Sequence, residues 1–63
     1  MTLYELQLVD PKTSRERTIT VLADREAAEA SPDWMAFVQA IAKPEIPPGY
    51  MCIMGRVREV IAS

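Results

Sequence analysis

Alternation with a period of two opens the chain. Over residues 3–9, Tyr4, Leu6 and Leu8 fall on one side and Glu5 and Gln7 on the other, with Leu3 and Val9 at the ends. This pattern predicts a strand with one apolar face. Residues 17–23 repeat it: Ile19, Val21 and Ala23 share one side, and Thr18, Thr20 and Leu22 share the other. Between the two runs, Asp10-Pro11 suits the first two positions of a type I turn, because proline presets φ and the aspartate side chain accepts from nearby backbone N–H groups. An antiparallel hairpin over residues 3–23 follows, with its register left open.

The period then changes. Asp24 is a good helix N-cap, and Arg25-Glu26-Ala27-Ala28-Glu29-Ala30 are strong helix formers, with acidic groups near the positive end of the helix dipole. Ser31-Pro32 resembles a second start signal, with Ser31 as cap and Pro32 at the first helical position. The expectation is a short first helix, a break near Ser31 and a main helix over residues 32–42, with one kinked helix as the alternative. In the main helix Trp34, Phe37, Val38 and Ile41 stand at i, i+3, i+4 and i+7, a stripe predicted to lie against the sheet.

Three prolines within residues 43–49 stop the helix and predict a stiff, extended connection, with Ile46 against the core. Residues 50–61 read as a C-terminal strand region. Met51, Ile53 and Val57 are in phase and Val60 is one residue out, which predicts a β-bulge near Gly55 or Arg58-Glu59, or a tight bend at Gly55 between two short strands. The fold class is therefore α+β: a two-layer ββαβ domain, with an antiparallel sheet of three or four strands on one main helix. Strand order is undetermined at this point.

Composition narrows the function. At 63 residues the chain has room for a single domain, spanning residues 1–63, and for a small core. It holds one cysteine and no histidine, which removes an intrachain disulfide, a Cys/His zinc site and a histidine-based catalytic triad. With only Gly49 and Gly55, neither a dinucleotide fingerprint nor a phosphate loop can be built, so no cofactor is expected. Neither a secretory leader nor a stretch long enough to cross a bilayer is visible. Together with the lone thiol, that makes the cytoplasm the expected location and gives the membrane no role.

Candidate chemistry is sparse. Cys52 lies in an apolar run without a neighbouring base and reads as a small buried hydrophobe. Asp24, Glu26, Glu29 and Asp33 cluster at the helix starts, where capping explains them; no calcium-loop spacing is present. Pro44 and Pro47 match a bare P-x-x-P spacing but read as part of a rigid connection. The arginines are more suggestive. If the second and last strands were neighbours, Arg15, Arg17, Arg56 and Arg58 would form a basic patch on the open sheet face, suited to phosphate or an acidic partner surface. A net charge of −2 weighs against bulk nucleic-acid affinity.

Apolar residues in excess of one small core point elsewhere. Leu3, Val9 and Leu22 fall on the second face of the sheet, and Tyr50 and Met51, with Met35 and Met54, have the composition of an adaptable interface. The expected function is a non-catalytic accessory or adaptor protein acting through protein–protein contacts, as a homodimer or against another chain. The rival is a small nucleic-acid-binding protein using the arginine-bearing face.

Overall fold

A computed structural model describes residues 1–61. Strand β1 (Thr2–Asp10) and strand β2 (Arg15–Ala23) form the hairpin, and two helices follow, α1 (Arg25–Ala30) and α2 (Trp34–Ala42). A 3-10 turn over Lys43–Glu45 prolongs α2, and strand β3 (Met51–Val60) closes the domain. The class is α+β, but the order is ββααβ, and both helices contribute to the second layer through buried Ala28, Val38 and Ala42. The sheet is antiparallel, three strands in the order β2-β1-β3.

β1 takes the centre because it is the strand best able to bury one face. Thr2, Tyr4, Leu6 and Leu8 all point at the helices, each at most 2% exposed. The hairpin pairs without interruption from Thr2 with Ala23 to Asp10 with Arg15, so its loop is only Pro11–Ser14, shorter than the sequence pattern suggested. Asp10 closes it twice over: Oδ1 accepts from the Lys12 N–H at 2.9 Å and its carbonyl accepts from the Ser14 N–H at 2.7 Å. Ser14 adopts φ 60°, the left-handed conformation that lets the chain turn back into β2.

The helices depart from expectation in two ways. Asp33, not Ser31, caps α2, its side chain accepting from the Ala36 N–H at 3.2 Å, so Pro32 stays outside the helix in the linker. Asp24 caps α1 as anticipated, accepting from the Glu26 N–H at 3.0 Å. The second departure is rotation. The inward line of α2 runs through Met35, Val38, Gln39 and Ala42, with Val38 fully buried, while Trp34 and Ile41 remain 36% and 46% exposed. Trp34 nevertheless keeps its ring against Tyr4, so of the predicted stripe Ile41 is the residue that leaves the core. Phe37 packs from the flank, as do Ile46 and Tyr50.

The connection over residues 43–49 is likewise not uniformly extended. Its first half is the 3-10 turn, in which Lys43 accepts from the Ile46 N–H at 3.2 Å. Gly49, at φ 88°, completes a turn in which the Tyr50 N–H donates to the Pro47 carbonyl at 3.2 Å.

Candidate interaction surface

The partners of β3 on β1 locate its side chains. Cys52, Gly55, Val57 and Val60 lie opposite Leu8, Leu6, Tyr4 and Thr2, and therefore on the helix side. Met51, Met54, Arg56 and Glu59 lie opposite Val9, Gln7, Glu5 and Leu3, on the open side. Two residues, Ile53 and Arg58, have no partner: the strand bulges twice. The bulge at Arg58 matches the slip in hydrophobic phase. The one at Ile53 does not, and it separates Met51 and Val57 onto opposite faces although the spacing had put them in phase.

Gly55 lies in close contact with the helical layer. A Cβ at this position would stand 3.0 Å from Leu6 Cδ2 and 3.5 Å from both Met35 Cε and the Trp34 ring. Its absence lets the indole settle on the strand, tilted 30° to the Tyr4 ring with centroids 5.6 Å apart. Beyond that point the cover is incomplete. Val57 and Val60, on the helix side, are 44% and 59% exposed, and Met51, Ile53 and Met54 are 54%, 51% and 52% exposed. β3 is an edge strand whose outer backbone groups have no strand partner among the described residues.

The residues singled out from the sequence divide. Leu3 and Leu22 are direct cross-strand partners on the open face, and Val9 faces Met51 there. Tyr50 is half-buried against the core, away from that face. The four arginines do not gather. β1 separates β2 from β3; Arg17 stands opposite inward-facing Leu8, hence on the helix side, whereas Arg56 is on the open side and Arg58 sits in a bulge. Arg15 pairs with Asp10 at the far end of the hairpin. Arg56 is moreover engaged: its Nε and Nη2 donate to Glu5 Oε1 at 3.0 and 2.6 Å. The basic patch that a β2–β3 contact would have built is not formed.

Polar groups on the open face satisfy one another. Gln7 Nε2 donates to Glu16 Oε1 at 3.0 Å, and a depression of about 130 Å³ is lined by Glu5, Gln7, Met54 and Arg56. A second, of about 250 Å³, lies on the other side between Tyr4, Arg25, Glu29, Trp34 and Val57. Both fall below the roughly 300 Å³ at which small-molecule sites begin. The acidic cluster at the helix starts is structural in use: Asp24 and Asp33 cap, and Glu29 accepts from Arg25 Nε at 2.9 Å. Cys52 is half-buried opposite Leu8.

Sequence reasoning did not single out Ile53, Val57 and Val60 as surface. The only available signal was the bulged phase of residues 50–61, which marks an irregular strand without telling which side of it is covered. Neither helix is long and apolar enough to cross a membrane. Comparison with protein-family models, curated proteins and solved structures finds no significant match.

Proposed function

We propose that this chain is a non-catalytic accessory or adaptor protein that acts by protein–protein contact, with β3 as the contact strand. One observation carries the reading: five large apolar side chains on a single edge strand, Met51, Ile53, Met54, Val57 and Val60, are each 44% or more exposed. A long apolar edge left open is a template for another strand and a hazard for the free chain, so a partner is the simplest account of its persistence. The other edge supports this by contrast. Along β2 the exposed residues from Arg15 to Thr20 are charged or polar, which protects an edge from pairing, and Leu22, at 51%, is its one exposed large apolar side chain. The single thiol, Cys52, is in keeping with a reducing cytoplasm.

The test is capture from cells that express tagged and untagged forms together. Wild-type chain is compared with a Val57→Lys/Val60→Lys variant, whose folding is checked by circular dichroism. The reading expects at least one protein, the untagged chain or another, retained by the wild type and lost by the variant. Indistinguishable eluates would overturn it. Retention of nucleic acid in place of protein, released by salt, would favour the rival function.

A further inference from the structure

We propose that the occupant of the β3 edge is β3 of a second copy of this chain, paired antiparallel about a two-fold axis through Val57. The two sheets would join into one of six strands, β2-β1-β3-β3-β1-β2. This rests on the contact reading above and names its partner.

Charge and register carry the inference. With Val57 opposite Val57 of the second copy and bulged Arg58 left out of the ladder, as it is toward β1, the next residues pair in a fixed order. Arg56 meets Glu59 of the second copy, and Gly55 meets its Val60. Arg56 and Glu59 both lie on the open face, and Gly55 and Val60 both on the helix side, so each pair shares a face as antiparallel partners must. Symmetry makes every such pair twice. Among the described residues the ion pairs are Arg25–Glu29 and Arg56–Glu5, so Glu59 is free to take a partner. The Arg56 guanidinium has five N–H donors, enough for Glu5 and a second carboxylate. Centring the axis on Arg56 or on Glu59 instead would set like charges face to face, which disfavours both.

The chain is somewhat more extended than a compact domain of its size. The chain exposes 4489 Å², whereas a self-sufficient monomer of its mass would expose about 4,100 Å². Its radius of gyration is 11.9 Å, against about 10.6 Å for a compact domain of this length. The exposed surface includes the hairpin end, open from Pro11 to Thr18, and the outer flank of β3, where Val57 and Val60 are 44% and 59% exposed. A second sheet placed edge to edge brings its own Trp34 and Ile61 to the same flank and covers it. Two-fold pairing in this register covers Gly55 to Val60 of each β3 and places the two β2 strands outermost, while Met51 to Met54 of each copy stay beyond the shared ladder.

A charge swap between two variants tests the register. Glu59→Arg alone opposes arginine to arginine, and Arg56→Glu alone opposes glutamate to glutamate, so self-association of each should weaken about tenfold or more by sedimentation equilibrium. An equal mixture restores both opposite-charge pairs in the heterodimer and should associate nearly as tightly as wild type. A mixture no tighter than its components overturns the proposal, as does a wild-type chain that stays at 7.1 kDa at every concentration. A second measurement does not depend on the charged variants folding. A Cys52→Ser/Val57→Cys chain should form a disulfide-linked dimer on mild oxidation, and its failure to do so overturns the axis position. Failure here is separable from failure of the contact reading: a different protein retained through β3, without the untagged chain, removes the second copy and keeps the contact strand.

Discussion

Arg56 and Glu5 face each other directly across β1 and β3, with Arg56 Nη2 at 2.6 Å and Nε at 3.0 Å from the same oxygen, Glu5 Oε1. The pair lies on the open face and is unequally exposed, 69% for the arginine side chain and 19% for the glutamate. Both nitrogens address one oxygen, and the arginine is well hydrated. A double-mutant cycle with Glu5→Ala and Arg56→Ala, read by urea unfolding, should return a coupling of about 0.5–1 kcal/mol. Raising the salt concentration should shrink it.

Gly55 is predicted to be intolerant of a larger side chain. Its Cβ position is already within contact of Leu6, Met35 and Trp34, and Leu6 is fully buried and has nowhere to move. Gly55→Val should cost about 1–3 kcal/mol in denaturant unfolding, despite valine's better strand propensity. Tryptophan fluorescence should shift toward the red in the same variant, because the indole is displaced into water.

The start of α2 gives a pair of substitutions with opposite expectations. Asp33 accepts from the Ala36 N–H, whereas the Ser31 hydroxyl only donates to the Asp33 carbonyl at 3.3 Å. Asp33→Ala should destabilise by about 1 kcal/mol. Ser31→Ala should stay within about 0.5 kcal/mol of wild type. Equal losses at both positions would return the cap to Ser31.

The rotation of α2 is tested in the same way. Val38 is fully buried and Ile41 is 46% exposed. Val38→Ala should cost about 2 kcal/mol by lost burial and a residual cavity. Ile41→Ala removes more atoms and should cost less than half of that. For a domain with about 3–9 kcal/mol of stability in all, the difference is readily measured by thermal unfolding.

Much of this fold was legible in the local pattern. Tyr4, Leu6 and Leu8, and Ile19, Val21 and Ala23, were assigned to one face by alternation alone, and they line the core. Asp24 as a cap and the break near Ser31 followed from residue chemistry. The arrangement of side chains on the open face was legible only in part. Leu3 and Leu22 were placed on the second face correctly, but the arginine patch depended on which strands are neighbours, a fact with no local signature.

Sequence by itself determined the main elements and which residues of β1 and β2 share a side, because those depend on a repeat of two or of 3.6 residues within a short window; in β3 the bulge at Ile53 broke the repeat. Tertiary structure alone decided which sides are covered. Placing β1 between β2 and β3 made β3 an edge, and α2 buries Val38 and Ala42 while Ile41 stays exposed. Both outcomes come from long-range competition for a limited buried volume. Val57 and Val60 lie on the helix side of β3, yet on this edge strand they remain surface.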